Sequence, residues 1–166
     1  MGIKAPEVLT DDHDLSNFCC GRQDLDDWLT KKAIKNQNKN NIKVYVAAEQ
    51  SSAQVVGYYP IAMGSVQRDS AIGLLRRNSP NPIPMVILAR LGVHVDYHEQ
   101  GIGAGLLKDC VLRSVHAMNV VGGAGILVHA IDDHAKTFYR KFGFTESPFN
   151  DMTLMARICD IKVSHK

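Results

Sequence analysis

The chain has 166 residues, of which 45% are hydrophobic and 22% charged, and its formal net charge is +2. This composition is typical of one globular domain, taken as residues 1–166, and the charge is too small to indicate nucleic-acid binding by itself. No apolar run is long enough for a signal peptide or a membrane span, and the four cysteines form no C-x-x-C pair. We therefore expect a cytoplasmic protein with no membrane partner and no zinc or redox site of that type.

Hydrophobic spacing predicts the elements of the first half. Leu25, Trp28 and Leu29 recur at helical spacing, and two alternating segments flank a polar link that suits a hairpin. The predicted elements are an extended lead-in, a helix over 24–36, strands over 43–48 and 55–61, a short helix over 71–77 and a buried strand over 85–95. The run of prolines before that last strand forces extended chain.

The second half is predicted to alternate between helix and strand. Leu106 and Cys110 belong to an apolar helical stripe, Asp132 or Asp133 can cap the next helix, and Gly143 suits its C′ position. The predicted elements are a helix over 106–118, a strand over 126–130, a helix ending near 141 and a strand over 152–158. This order predicts an α/β (α+β) fold in which helices flank a mixed sheet.

A glycine-rich turn joins the predicted strand 85–95 to the helix that follows it. Residues 100–105 read QGIGAG, and such a turn before a helix exposes backbone N–H groups that suit a phosphate. The sequence of the turn does not match the P-loop motif. It does not match the dinucleotide-binding fingerprint either, because Leu106 stands where that motif has its third glycine. It does fit Q-x-x-G-x-G. A glycine-rich turn without any ligand is the alternative interpretation.

The string Q-x-x-G-x-G resembles the coenzyme A signature of the GNAT acetyltransferases. Residues 135–144 likewise resemble the A-x-x-F-Y-x-x-x-G-F string of these enzymes. Segments 13–29 and 76–91 resemble one subfamily, the GNAT toxins of bacterial toxin–antitoxin modules of the TacT and AtaT type. The resemblance extends from about residue 5 to about residue 158 and implies a single GNAT domain with a splayed strand and a V-shaped acetyl-CoA cleft.

The resemblance also implies which residues bind acetyl-CoA, the co-substrate. They are Leu91, Gly92, Val93, Gln100, Gly101, Ile102, Gly103, Ala104 and Gly105. Backbone N–H groups of residues 91–93 are the expected donors to the oxygen that becomes negative during the reaction. Ile102 stands where many relatives carry Lys, and because backbone groups do most of the phosphate binding we expect a modest loss of affinity at most.

Tyr139, in the F-Y string, is implied as the general acid that protonates the coenzyme A sulfur. The implied acceptor is the α-amine of an amino acid esterified to tRNA, whose acetylation blocks translation. Such an amine is substantially neutral near physiological pH, so a strong general base is not required. The alternative for Tyr139 is a packed aromatic residue with a satisfied hydroxyl, because its neighbours recur at helical core spacing.

Basic residues provide candidate contacts to the RNA. Arg76, Arg77 and Arg90 are expected to flank the acceptor side of the cleft. The Arg76–Arg77 pair is the stronger candidate for RNA, because arginine forks suit phosphate. Further candidates for a tRNA track are Lys31, Lys32, Lys35, Lys39, Arg140 and Lys141. The seven histidines show no metal-binding spacing, so no metal is expected. His94 or His98 can orient the substrate amine, and His129 is expected to be a hydrogen-bonded interior residue.

The resemblance implies partners as well. We expect a ribbon–helix–helix antitoxin that blocks the acetyl-CoA cleft with its C-terminal tail, contact with DNA through that antitoxin in a repressor complex, and a homodimer. Two other functions stay open from the sequence. One is a GNAT that acetylates a protein N-terminus or a small amine, and the other is a coenzyme A-dependent corepressor in which acetylation is secondary.

Overall fold

A computed structural model of the protein describes residues 2–161, which fall into two compact units. The first unit comprises the residues up to Ile61 together with Leu91–Asp109. It contains β1 (Glu7–Val8), α1 (Gln23–Lys31), α2 (Ala33–Asn38), β2 (Lys43–Ala48), the first part of β3 (Val55–Val66), β5 (Gly92–Val93), a 3-10 turn (Val95–Tyr97) and the start of α4 (Ile102–Val121).

The second unit comprises Ala62–Arg90 and the described residues from Cys110 onward. It contains the end of β3, a 3-10 turn (Arg68–Ser70), α3 (Gly73–Arg76), β4 (Ile83–Leu88), the rest of α4, β6 (Gly125–His129), α5 (Asp133–Lys141), β7 (Thr145–Glu146), β8 (Thr153–Ala156) and a last 3-10 turn (Ile158–Asp160). An apolar cluster that includes Ile83, Met85, Leu127 and Met155 is buried in this unit.

The strands pair in both directions, which confirms the predicted mixed sheet. In the first unit β1, β2 and β3 are antiparallel neighbours, and β5 pairs with β3 in the antiparallel sense. In the second unit β4 runs parallel to β6, while β8 is antiparallel to both β6 and β7. A parallel pair needs a crossover connection, and α4 lies between β4 and β6 in the chain.

The prediction of one helix over 24–36 is wrong, because the chain forms two. Lys32 leaves the helical region with a φ of −124°, and α2 begins at the next residue. Gln37 of α2 donates from its side-chain amide to the Leu9 carbonyl at 2.8 Å and accepts from the Val44 N–H at 2.7 Å. These two bonds hold α2 against the backbone of its own unit, which hydrophobic spacing alone does not predict.

The prediction of one strand over 85–95 is also wrong. The chain forms β4, which pairs with β6, and then β5, which pairs with β3. Gly92 allows the second pairing, because a side chain there would meet the fully buried Tyr58 ring at 3.2 Å. The strand predicted over 152–158 is likewise shorter, and the short strands β1 and β7 were not predicted.

Other predictions are confirmed. The strand over 43–48 is found as predicted, and Cys110 is a fully buried core residue. Asp132 caps α5 by accepting from the Ala135 N–H at 2.8 Å. Gly143 follows the end of α5 with a φ of +100°, a left-handed conformation that favours glycine.

Candidate active site

Strand β5 presents one backbone N–H away from the sheet. The His94 N–H donates to the Val56 carbonyl at 2.8 Å, and Gly57 lies opposite Val93. Antiparallel strands alternate between hydrogen-bonded and non-bonded pairs. Val93 is therefore in a non-bonded pair, so that its N–H and C=O point away from β3, while the Gly92 backbone faces Tyr58. Of the predicted donors in residues 91–93, Gly92 is thus committed to the sheet.

Two histidines beside β5 make bonds within the first unit. The buried His94 donates from Nε2 to the Asn17 carbonyl at 3.0 Å and accepts at Nδ1 from the Asp96 N–H at 3.1 Å. Both ring nitrogens are therefore used, and His94 is not available to orient an amine as the sequence suggested. His98 is exposed and donates from Nε2 to the Val93 carbonyl at 2.7 Å.

The glycine-rich turn has the shape of an anion site. Gly101 has a φ of +82°, and the Gly105 N–H donates to its carbonyl at 3.0 Å to close the first turn of α4. A side chain at Gly101 or Gly105 would meet no atom within 4 Å. The first hydrogen bond of the helix is donated by Gly105, so the N–H groups of residues 102–104 have no carbonyl partner within the helix. Such N–H groups favour a negatively charged ligand. The exposed Gln100 donates from its side-chain amide to the Asp96 carbonyl at 3.4 Å.

Tyr139 lies on α5 in the second unit and is 3% exposed. Its ring contacts Phe138 and Phe144 edge to face, with centroids 5.3 and 5.8 Å apart. Burial, with a smaller contribution from Cys110, raises the pKa of the Tyr139 hydroxyl well above its ordinary value. Within residues 2–161 no hydrogen bond to this hydroxyl is found. The general acid and the packed aromatic residue both stay predictions for Tyr139.

The candidate RNA-binding arginines lie in the second unit. Arg76 and Arg77 are exposed at the end of α3, and Arg90 is half-buried. Sequence reasoning missed Arg68, whose guanidinium donates to the Arg76 carbonyl at 3.4 Å. The signal that could have found it is a third arginine a few residues before the pair.

Several of the other basic residues suggested for RNA binding have an acidic or aromatic partner close by. Lys31 pairs with Asp27 at 3.5 Å and Arg140 with Glu146 at 3.4 Å, which reduces their availability for phosphate. Lys141 lies over the Phe142 ring, and Lys32, Lys35 and Lys39 are exposed. These positions leave the lysines of α2 and its flanks as the stronger remaining members of the proposed tRNA track.

His129 is bonded as predicted but lies at the surface. Its Nδ1 is 3.2 Å from the Thr153 hydroxyl, yet the residue is exposed. The expectation of an interior histidine is therefore wrong, because β6 ends here and turns its last side chain outward. Partial desolvation and the charge of Arg90 lower the pKa of His129, which favours the neutral ring.

Within residues 2–161 the protein has neither a metal-binding cluster nor a membrane-spanning helix. No group of three or more His, Cys, Asp or Glu side chains within residues 2–161 is placed to hold a metal ion. In the same part of the chain, no helix is both long enough and apolar enough to cross a bilayer.

Of the four thiols, those of Cys20 and Cys110 are buried, and burial raises the pKa of Cys20 to about 12.

Comparison with known proteins gives consistent matches. Residues 40–146 match the acetyltransferase (GNAT) domain family. The "tRNA-acetylating toxin" of Mycobacterium tuberculosis is 37% identical over 161 residues, which are 97% of this chain and 96% of that protein. The solved structure of AtaT complexed with acetyl-methionyl-tRNAfMet is 28% identical, with a TM-score of 0.87 over 94% of this chain and 95% of that one.

A second solved structure holds a Tyr-to-Phe mutant of the toxin AtaT bound to the C-terminus of the antitoxin AtaR and acetyl-CoA. It is 28% identical, with a TM-score of 0.79 over 93% of this chain and 92% of that one. The family match covers more than half of the sequence, and the bacterial relative aligns over nearly its full length. The chain therefore belongs to the GNAT acetyltransferase family.

Proposed function

We propose that this protein is a toxin that transfers the acetyl group of acetyl-CoA to the α-amine of aminoacyl-tRNA and so blocks translation. The observation that carries the proposal is the near full-length similarity to a relative named for acetylating tRNA. The match to AtaT complexed with an acetylated aminoacyl-tRNA supports the same acceptor. The protein would act in the cytoplasm as one domain over residues 1–166.

The residues present fit acetyl-CoA. The space beside Gly101 and Gly105 lets a pyrophosphate approach the backbone, and the start of α4 supplies N–H groups for it. Gln100, Ile102, Gly103 and Ala104 complete this turn. The Leu91–Val93 segment would pair with the amide-bearing arm of the co-substrate, and the outward N–H of Val93 would donate to the thioester oxygen as that oxygen gains negative charge.

Tyr139 would complete the transfer as the general acid. The amine nitrogen forms a bond to the acetyl carbon, the bond from that carbon to sulfur breaks, and the leaving sulfur takes the Tyr139 proton. The amine releases its extra proton to water, and the Tyr139 phenolate takes a proton back from water, which restores the enzyme. The Tyr139 hydroxyl carries its proton at neutral pH, as the role of an acid requires.

The first test follows label from acetyl-CoA. Purified protein is incubated with acetyl-labelled coenzyme A and a pool of charged tRNAs, and the recovered aminoacyl groups are analysed. We expect N-acetyl label on at least one aminoacyl-tRNA. Label on a protein N-terminus or a small amine, with none on charged tRNA, would overturn the acceptor that we propose.

Substitution at the glycine-rich turn tests the co-substrate site. We expect Gly105→Val to raise the KM for acetyl-CoA about 10-fold, because the new side chain occupies space that is open in the protein and that the ligand needs. The folded state should not lose stability, since glycine is a poor helix former. Steady-state kinetics and thermal unfolding measure the two effects.

The matched control for this test is Gly122→Ala. Gly122 follows the other end of α4 and also has open space around it. We expect its KM for acetyl-CoA to equal that of the unchanged protein. An equal KM in Gly105→Val would show that the turn does not hold the co-substrate.

We also propose that the partner is a ribbon–helix–helix antitoxin that binds the toxin through its C-terminal tail, and that contact with DNA occurs only through it in a repressor complex. The complex of AtaT with the C-terminus of AtaR supports an antitoxin partner, and acetyl-CoA is bound in that same complex, so the tail does not exclude the co-substrate there. A homodimer is proposed by the same family resemblance. Light scattering of the purified chain, alone and with its antitoxin, would test both assemblies.

A further inference from the structure

Phe149 has the most exposed side chain among the large hydrophobic residues of the described part of the chain, at 74%. The turn that carries it is held by backbone bonds at both ends. The Ser147 N–H donates to the Thr153 carbonyl at 2.8 Å, and the Thr153 N–H donates to the Asn150 carbonyl at 3.1 Å. The ring therefore projects into solvent from an ordered turn, where both of its faces are accessible to a flat ligand.

Hydrogen bonds connect this turn to the segments that carry three arginines of the same unit. The Ser147 hydroxyl donates to the Ser70 carbonyl at 2.7 Å, at the end of the 3-10 turn that begins with Arg68. The Arg68 guanidinium in turn donates to the Arg76 carbonyl at 3.4 Å. We call Arg68, Arg76 and Arg77, all exposed, the arginine cluster.

The charge of this surface is positive. Asp69 is the acidic residue within the 3-10 turn, against three guanidinium groups in the cluster. Lys136 lies 3.3 Å from Glu146 and 3.2 Å from Asp151, and Arg140 lies 3.4 Å from Glu146, so that two cations balance the two carboxylates beside the turn. Arginine forks bind phosphates, and an exposed aromatic ring stacks on an unpaired base.

From this arrangement we infer that Phe149 is a stacking platform for an unpaired nucleotide of the tRNA 3′ end, and that the arginine cluster binds the adjoining phosphates. This inference rests on the proposed function, since it presumes a tRNA acceptor. Unpaired bases are the part of an RNA that aromatic side chains can reach, and stacking tolerates any base. The ring would thus help to bind every tRNA alike and would not select the amino acid.

The test separates stacking from charge by measuring binding at several salt concentrations. Uncharged tRNA with its 3′ CCA end is titrated against the full chain by fluorescence anisotropy. We expect Phe149→Ala to weaken binding about 5- to 100-fold at every salt concentration, with an unchanged salt slope. The double variant Arg76→Ala/Arg77→Ala should instead reduce the salt slope by about 1 to 2.

Three controls make the result specific. Phe149→Trp should bind as tightly as the unchanged protein, because it keeps an aromatic face. Val120→Ala, which changes another apolar side chain that is 70% exposed, should have no effect. For tRNA trimmed of its last three nucleotides, the unchanged protein and Phe149→Ala should bind equally.

Equal binding of CCA-ended tRNA by Phe149→Ala and the unchanged protein would overturn the inference. It would also be overturned if Phe149→Ala weakened the binding of trimmed tRNA as much as the binding of CCA-ended tRNA. Acetyl transfer, assayed on the same samples, keeps this result separate from the proposed function. If acetyl transfer occurs while Phe149→Ala binds normally, only the stacking platform is wrong. If Phe149-dependent binding occurs without acetyl transfer to any charged tRNA, only the proposed reaction is wrong.

Discussion

Tyr139→Phe is expected to lower kcat for acetyl transfer about 100- to 10,000-fold while leaving the free energy of unfolding nearly unchanged. General acids contribute rate factors of this size, and the substitution removes only the proton donor. Folding should tolerate the change because the ring contacts with Phe138 and Phe144 stay in place. Single-turnover transfer to charged tRNA and thermal unfolding measure the two quantities.

Tyr58→Phe is the matched control with the opposite expected outcome. The Tyr58 hydroxyl donates to the Leu25 carbonyl at 2.8 Å, so its loss should cost about 1 kcal/mol of stability and leave kcat within twofold. Tyr139→Phe with normal kcat would rule out the acid role. A stability loss in Tyr139→Phe as large as that of Tyr58→Phe would instead indicate a structural hydroxyl.

The raised pKa of Tyr139 also predicts that the free energy of unfolding depends differently on pH in the unchanged protein and in Tyr139→Phe. The unfolded chain releases this proton near the ordinary tyrosine pKa of about 10, whereas the folded chain retains it to higher pH. The contribution to stability is therefore fully present below about pH 10 and is lost as the pH rises further. Tyr139→Phe should lack this part of the alkaline loss.

Gly143→Ala is expected to destabilise the fold by about 3 to 5 kcal/mol, a large share of the stability of a typical domain. The residue has a φ of +100°, which a side chain rarely adopts, and its new Cβ would collide with the Asp160 carbonyl oxygen. Because that oxygen belongs to the backbone, relief requires the chain itself to move. Urea unfolding of purified protein measures the loss.

Gly122→Ala isolates the part of this loss that comes from the left-handed backbone alone. Gly122 has a φ of +89°, and no atom lies within 4 Å of the place that a Cβ would take, so we expect a loss of about 1 to 2 kcal/mol. The difference between the two variants is then the cost of the collision. Equal losses would mean that the contact with Asp160 is not tight in solution.

Much of the fold was predictable from local sequence patterns. Regular apolar spacing located α4, and the Asp132 cap with Gly143 marked the ends of α5. Periodicity failed where tertiary contacts determine the outcome. It could not reveal that Gln37 bonds to the backbone of two other segments and so holds a second helix after Lys32.

The candidate site shows the same division. The glycine-rich turn and the F-Y string could be recognised from the sequence because their residues are contiguous. Which amide of residues 91–93 points away from the sheet depends on strand register, and an apolar run contains no information about register. The link from Arg68 to Arg76 is likewise a contact between residues that no local pattern relates.

The bonds of His94 have a consequence for catalysis at a distance from the substrate. With its backbone paired to Val56 and its ring fixed to Asn17 and Asp96, this residue prevents β5 from sliding by one position. A slip of that size would turn the Val93 amide into the sheet. If the Val93 amide is the donor that we propose for the thioester oxygen, the ring of His94 would thus determine the direction in which that donor points.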